Sequence, residues 1–145
     1  MLNFTRLRDI REDNDLNQED MANILGVKRS AYSLWEVGIN TIPLKYLCSF
    51  ADYFNVSLDY LLRLSNNKNG NNLIKGLDLK ILGNNIKNIR KENNISQTKL
   101  ASMLNVSQAC INKYEKGNIC ISINNLYEIS KRFKISINDL CGKTK

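Results

Sequence analysis

Two glutamines, Gln18 and Gln97, stand at corresponding positions in two halves of the chain. Arg29 and Gln108 form a second pair of positions with the same offset, further along each half. Amide and guanidinium side chains carry several hydrogen-bonding groups in a fixed geometry, which suits recognition of a polar surface. The 145 residues include no histidine, and this removes the usual general base and the commonest transition-metal ligand. These residues therefore favour binding by hydrogen bonds over catalysis.

Both pairs lie in a stretch that occurs twice, as residues 17–38 and 96–117. Each copy predicts a helix, a tight turn and a second helix, because apolar residues recur with the helical period before and after the turn. Ala22 is small enough for the second helix to cross closely, and Gly26 tolerates the left-handed backbone of a turn. Such a unit projects its second helix into a groove, and an α-helix fits the major groove of DNA, where base edges can be distinguished.

The repeat extends beyond this stretch. The same offset continues without a gap from Ile10 and Ile89 to Leu61 and Leu140, which indicates a duplicated domain. The composition is that of a soluble globular protein. Since no apolar run approaches the length of a membrane span and the first residues show no signal-peptide core, we expect a cytoplasmic protein with no membrane partner.

Both copies resemble the helix-turn-helix domain of the phage-repressor and Cro class of bacterial regulators. The resemblance rests on a Leu/Ile-x-x-Ile-Arg start, a Gln-x-x-Met/Leu-Ala segment and a Glu-x-Gly stop, with Val-Ser-Leu-Asp-Tyr-Leu at 56–61 echoed as Ile-Ser-Ile-Asn-Asp-Leu at 135–140. It implies an all-α fold of two tandem five-helix lambda-repressor-like DNA-binding domains joined by a short linker. It also implies double-stranded DNA as the partner. We expect no cofactor.

We expect a first domain at 1–64, a linker at 65–78 and a second domain at 79–145. Residues 65–72, SNNKNGNN, have the composition of a flexible polar linker. If it is extended at about 3.3 Å per residue, the chain from Leu64 to Leu79 reaches about 50 Å. That exceeds the roughly 34 Å between successive major-groove faces, so the linker permits both domains to dock on one side of a duplex. Residues 142–145 predict a frayed tail.

Base recognition is expected from the outward face of the two recognition helices, at about 28–36 and 107–115. Arginine suits guanine O6 and N7, whereas glutamine and asparagine suit adenine N6 and N7, so the two copies should prefer different half-sites. The resemblance implies that the glutamine at the start of the preceding helix clamps the DNA backbone, where free N–H groups suit a phosphate. The predicted DNA-binding residues are Gln18, Arg29, Ser30, Ser33, Gln97, Gln108, Ala109, Asn112, Lys113 and Lys116.

Arg11 with Glu36 and Arg90 with Glu115 repeat at one spacing. The family pairs these positions in a partly buried ion pair between the first and third helices. The resemblance therefore implies a structural role, which is to hold the recognition helix at its angle. A pair left half-made would cost several kcal/mol, about 3–5 in known cases.

Helix caps differ between the copies. The first recognition helix follows Lys28, a poor cap, and the second follows Ser107, a good one. The sequence predicts a looser start for the first recognition helix. The loops that follow these helices carry Asn40 and Thr41 in the first copy, where the family makes phosphate contacts, so the grip of the first domain looks weaker.

The cysteines give no metal motif. No two of them form a Cys-x-x-Cys pair and no histidine supports them, so we expect no metal. Cys48 and Cys141 fall on apolar helical faces and should be buried as small hydrophobes, whereas Cys110 lies in the second recognition helix. The four are Cys48, Cys110, Cys120 and Cys141.

Charge is uneven along the chain and leaves an alternative open. Residues 1–64 carry seven basic and nine acidic side chains, and residues 65–145 carry fourteen basic and five acidic. A basic second half suits a phosphate surface. The acidic first half favours an alternative: a protein-interaction module, for example an antitoxin or an anti-repressor partner, in which only the second domain binds DNA. A homodimer of the whole chain is also left open. An enzyme is a distant third, since no acid–base or nucleophile constellation is present.

Overall fold

The computed structural model describes residues 5–70, 72 and 74–144. Over these residues it contains ten α-helices and no strand. The chain divides into two compact units, Met1–Asn72 and Leu73–Lys145, which we call unit 1 and unit 2. Each unit contributes five helices in the same order. The predicted all-α fold of tandem five-helix domains is confirmed.

The helices of unit 1 are α1 (Thr5–Asp13), α2 (Gln18–Leu25), α3 (Arg29–Val37), α4 (Leu44–Phe54) and α5 (Leu58–Leu61). The helices of unit 2 are α6 (Leu79–Glu92), α7 (Gln97–Leu104), α8 (Gln108–Lys116), α9 (Ile123–Phe133) and α10 (Ile137–Leu140). None of the helices described here combines the length and the apolar character that a membrane crossing requires.

Each unit encloses its own core, to which all five helices contribute. The buried side chains recur three and four positions apart along each helix, which is the pattern that places them on one face. Core residues of unit 1 include Leu7, Met21, Tyr32, Trp35, Leu47, Cys48, Phe50 and Leu61. Core residues of unit 2 include Leu82, Ile86, Leu100, Ile111, Tyr114, Leu126, Leu140 and Cys141.

Side-chain caps fix several helix ends. At the start of α2 a capping box forms: the Asp20 amide donates to Asn17 Oδ1 at 2.7 Å, and the Asn17 amide donates to Asp20 Oδ2 at 3.0 Å. The side chain of Lys28 makes no cap hydrogen bond to α3, whereas Ser107 Oγ accepts from the Cys110 amide at 3.1 Å at the start of α8. The predicted difference between the two caps is confirmed. An absent Ser cap costs about 0.5–2 kcal/mol.

Residues 65–70 and Asn72 pack onto the helical part of unit 1, whereas their composition predicted a flexible linker. The Ser57 amide donates to the Lys68 carbonyl at 3.2 Å, and Asn72 Nδ2 donates to the Val56 carbonyl at 3.1 Å. Asn72 is buried. Asparagine side chains can form hydrogen bonds with backbone N–H and C=O groups nearby. Composition does not show whether such groups are within reach. The extended reach calculated from Leu64 to Leu79 therefore overstates the length of unattached chain.

The C-terminal segment packs against the start of unit 2. The Lys143 side chain is fully buried, and its Nζ donates to the Ile74 carbonyl at 3.1 Å. The Thr144 hydroxyl bonds to the carboxylate of Asp139. Gly142, at φ 70°, lets the chain turn back after α10. The predicted frayed tail is therefore wrong as far as Thr144, and Lys145 lies outside the described residues.

Helices α6 and α8 approach each other at a glycine. A Cβ atom added to Gly83 would lie 2.2 Å from the Tyr114 carbonyl oxygen and 2.8 Å from that of Glu115. Contact this close requires a residue without a side chain. The backbone of α6 therefore supports the last turn of α8 directly.

Candidate nucleic-acid interface

The third helix of each unit, α3 or α8, presents most of the predicted contact residues to solvent. The N-terminal turn of each helix is largely exposed, as a helix that enters a groove requires. The exposed members are Arg29, Ser30, Gln108, Ala109, Lys113 and Lys116, and the half-buried members are Gln18, Ser33, Gln97 and Asn112.

A chain of hydrogen bonds ties the exposed start of α8 to the interior of unit 2. Gln108 Nε2 donates to Gln97 Oε1 at 2.6 Å, and Gln97 Nε2 donates to Glu115 Oε1 at 3.0 Å and to Asn112 Oδ1 at 3.5 Å. Gln97 thus lies along the face of α8 across two turns. These contacts set the orientation of the Gln108 amide and restrict the freedom of its side chain.

This series of hydrogen bonds ends at a bidentate ion pair. Arg90 Nε donates to Glu115 Oε2 at 2.7 Å and Nη2 donates to Oε1 at 3.0 Å, while Nη1 reaches the Ile95 carbonyl at 3.0 Å. Only 3% of the Glu115 side chain is exposed. Burial raises the pKa of Glu115, but hydrogen bonds from Arg90 and Gln97 outweigh it and hold the pKa below its usual range. The carboxylate is therefore charged, and it joins α6 to α8.

Unit 1 repeats the ion pair but not the whole series of hydrogen bonds. Arg11 Nε donates to Glu36 Oε2 at 2.6 Å and Nη2 donates to Oε1 at 3.0 Å. Gln18 Nε2 donates to Glu36 Oε1 at 3.2 Å. The position equivalent to Gln108 is Arg29, which is exposed. Arg29 carries a full charge and can reach further than a glutamine, so the two units present different chemistry from the same position.

The end of the third helix also differs between the units. Val37 and Ile39 are 67% and 71% exposed, whereas the equivalent positions in unit 2 hold Lys116 and Asn118. Large aliphatic side chains at such exposure contribute nothing to phosphate binding. The constant offset of the repeat shows this difference in the sequence, whereas the prediction for this loop concerned Asn40 and Thr41, which are also exposed.

The cysteines contribute to packing more than to this surface. Cys48 and Cys141 are buried, as predicted, and none of the four cysteines forms a disulfide. Over the part of the chain that the structure describes, no three His, Cys, Asp or Glu side chains are grouped so that they could hold a metal ion.

Comparison with known proteins agrees with this geometry. A helix-turn-helix family model matches the chain twice, over residues 7–61 and 86–140. The chain belongs to the helix-turn-helix family. The two matches have the same offset along the chain as the two hydrogen-bonded networks, so both units of this helix-turn-helix protein carry the family pattern.

Each of the relatives matches a segment of this helix-turn-helix protein that is about as long as one unit. An uncharacterized HTH-type transcriptional regulator, YqaE of Bacillus subtilis (strain 168), is 37% identical over 62 residues, which are 43% of this chain and 53% of that protein. The antitoxin PezA of Streptococcus pneumoniae serotype 4 (strain ATCC BAA-334 / TIGR4) is 29% identical over 65 residues, 45% of this chain and 41% of PezA. The cryptic phage CTXphi transcriptional repressor RstR of Vibrio cholerae is 33% identical over 58 residues, 40% of this chain and 52% of RstR. The chain thus spans about half the length of the curated relatives it matches.

Proposed function

We propose that the chain is a sequence-specific DNA-binding transcriptional regulator that acts in the cytoplasm without catalysis, and that α3 and α8 enter the major groove. The observation that carries the proposal is the buttressed amide of Gln108: an exposed hydrogen-bonding group at the start of a projecting helix, oriented by Gln97 and anchored on Glu115. Family membership and the regulator and repressor among the relatives support it.

The roles of the residues follow from their positions. Gln108 offers its amide to adenine N6 and N7, and Arg29 offers its guanidinium to guanine O6 and N7. Gln97 is a positioning residue for Gln108, and its place at the first turn of α7 also suits a phosphate contact. Lys113 and Lys116, both exposed on α8, supply charge for the DNA backbone. A protein that recognises bases through both Arg29 and Gln108 should prefer a site whose halves differ in sequence.

A second candidate function keeps the regulator but restricts DNA binding to unit 2. Unit 1 has an excess of acidic residues, and its third helix ends in the exposed Val37 and Ile39. In this version unit 1 contacts a protein, as the antitoxin alternative requires. The similarity to an antitoxin is consistent with this version, although it covers only 45% of the chain.

Selection of bound sequences from random double-stranded DNA, repeated at several salt concentrations, tests the proposal. Two readers should return a split motif, with a guanine-containing half and an adenine-containing half, and affinity should fall steeply with salt because phosphate contacts release counterions. A single short motif would favour the second candidate. No enrichment, or a salt slope near zero, would contradict DNA binding.

Replacing Gln108 by alanine should weaken binding to the selected site by about 10–100-fold, since a good bidentate base contact is worth about 1–3 kcal/mol. The change removes both the base contact and the partner of Gln97. Fluorescence anisotropy at fixed salt measures it. Ser102→Ala, an exposed position on α7, serves as the control and should bind like the parent.

A double-mutant cycle separates positioning from direct contact. If Gln97 acts partly through Gln108, then Gln97→Ala should cost less in the Gln108→Ala background than in the parent. Additive losses would show that the two glutamines act independently. Arg29→Ala, measured on the same DNA, distinguishes the candidates: a loss supports two readers, and no loss supports unit 1 as the protein-binding unit.

A further inference from the structure

Unit 1 and unit 2 carry opposite surfaces on the same framework. From the first helix to the loop after the third, residues 5–41 hold five basic and seven acidic side chains, whereas residues 84–120 hold six basic and two acidic. The exchange falls on exposed positions: Asp15, Glu19 and Asp20 of unit 1 correspond to Asn94, Thr98 and Lys99 of unit 2. The same offset pairs the exposed Val37 with Lys116 and the exposed Ile39 with Asn118.

Hydrogen bonds place the segments that carry the apolar and acidic residues of unit 1 next to each other. Arg11 donates to the Leu16 carbonyl at 2.7 Å and to Glu36 at 2.6 Å, and Gln18 donates to Glu36 at 3.2 Å. The turn between α1 and α2 therefore lies beside the end of α3, where Val37 follows Glu36. We call the surface formed by Asp15, Glu19, Asp20, Val37 and Ile39 the apolar–acidic face.

The matching contacts in unit 2 bring together the segments that carry its lysines. Arg90 donates to the Ile95 carbonyl at 3.0 Å and to Glu115 at 2.7 Å, and Gln97 donates to Glu115 at 3.0 Å. We call the surface formed by Lys91, Lys99, Lys113 and Lys116 the basic face; all four side chains are exposed. Their four-carbon stems can cover aliphatic groups while the charges meet carboxylates.

We propose that the apolar–acidic face of unit 1 binds the basic face of unit 2 in a second copy of this chain. Charge complementarity selects this occupant, and the exposed Val37 and Ile39 supply the apolar area that a purely electrostatic contact lacks. Each copy owns both faces, so two copies can make the contact twice and close as a symmetric dimer. The inference rests on the proposed function in one respect: the basic face is the one that meets DNA.

The consequence is competition between self-association and DNA. In the dimer the basic face of each unit 2 is covered, so the DNA-competent form is the monomer. Raising the protein concentration shifts the population away from that form and reduces the apparent affinity by the fraction that remains competent. Salt weakens both interactions, since both depend on exposed charges.

The test exchanges the apolar pair for the residues of unit 2. Sedimentation equilibrium of the full chain at low salt should show a dimer, and Val37→Lys/Ile39→Asn should raise its dissociation constant at least about tenfold, because each of the two contacts loses two aliphatic side chains. The same variant should bind its DNA site with an affinity that no longer falls as protein concentration rises. Both positions are exposed, so folding should be unaffected. Tyr53→Lys, at a 57% exposed aromatic residue on α4, is the matched control and should dimerise like the parent.

A mixing experiment fixes which faces meet. A Lys99→Glu/Lys116→Glu chain should also fail to dimerise alone. Mixed with Val37→Lys/Ile39→Asn it should form a heterodimer through one of the two contacts, weaker than the parent dimer, because each variant supplies the face that the other lacks. A parent that stays monomeric, a dimer indifferent to the Val37/Ile39 exchange, or two variants that do not associate would each overturn this inference. A block of DNA binding that is independent of concentration and relieved by the exchange would place the contact within one chain and overturn it too. If instead the monomeric exchange variant selects no DNA, the proposed function fails.

Discussion

Arg11→Met should lower the free energy of unfolding of unit 1 by about 3–5 kcal/mol, because removal of one partner leaves the other charge buried. The exposed fractions of the Arg11 and Glu36 side chains are 9% and 2%. Methionine keeps much of the volume, so the loss arises mainly from the uncompensated carboxylate. Whole domains are stable by about 5–15 kcal/mol, and the change therefore removes a large share of the total.

The readout is built into the chain. Trp35 is its single tryptophan, and it lies in unit 1 with its ring stacked on Tyr46 at 5.4 Å between centroids. Urea unfolding followed by tryptophan fluorescence thus reports unit 1 alone. Arg90→Met is the matched control: it should leave the fluorescence midpoint in place and lower the stability of unit 2, seen by far-ultraviolet circular dichroism. Equal fluorescence midpoints for Arg11→Met and the parent would refute a structural ion pair.

The double variant Arg11→Met/Glu36→Met separates the value of the pair from the cost of breaking it. Apolar replacement of a whole buried pair is often neutral or stabilising, so the double variant should recover most of the lost stability. It also removes the acceptor of Gln18. DNA binding by unit 1 should then stay weak in a folded protein, which assigns Glu36 a second role as the anchor of the glutamine.

Acid should act on the same pair. Burial raises the pKa of Glu36, but hydrogen bonds led by that of Arg11 outweigh it, and the pKa lies below its usual value. The folded state thus binds this proton less readily than the unfolded state, and the stabilisation is present above the unfolded pKa of about 4.3 and is lost as pH falls through the folded pKa. The fluorescence midpoint of the parent should fall in that window, and that of the double variant should change less.

Much of this architecture was predictable because the sequence pattern of the five-helix domain occurs twice in the chain. Many core positions recur at the same offset in the second half, and a pair such as Arg11 with Glu36 has a counterpart at the same spacing. Caps were predictable for a local reason: Ser107 bonds an amide three residues away, whatever the rest of the chain does. The repeat also indicated the position of Gln108 on the exposed start of a helix.

Contacts that occur once were not predictable. Asn72 bonds to the Val56 carbonyl, and Lys143 inserts its side chain toward Ile74; neither contact has a periodic or local signature. Polar composition at both segments indicated flexibility, since composition reports what a side chain can do and not what lies within reach of it. The link between Gln97 and Gln108 depends on the angle at which α7 crosses α8, which a spacing does not give.

Gly83→Ala should destabilise unit 2 by about 2–3 kcal/mol, although the local preference has the opposite sign. Alanine is favoured over glycine inside a helix by about 1 kcal/mol. Here the new Cβ would lie 2.2 Å from the Tyr114 carbonyl oxygen, a backbone atom that cannot rotate away. Overpacking costs about 1–3 kcal/mol and occasionally more, and two carbonyls in contact put this site at the upper end.

The same clash connects stability to DNA binding. To admit the methyl group, the last turn of α8 must move away from α6, and that turn carries Glu115, on which Gln97 and through it Gln108 depend. DNA affinity should therefore fall even at temperatures where unit 2 is folded, while the Trp35 transition of unit 1 stays unchanged. Asn84→Ala, the exposed neighbour in α6, should change stability by less than about 0.5 kcal/mol. A Gly83→Ala protein with a raised melting temperature would show that helix propensity outweighs the contact and that α6 does not set the position of the recognition helix.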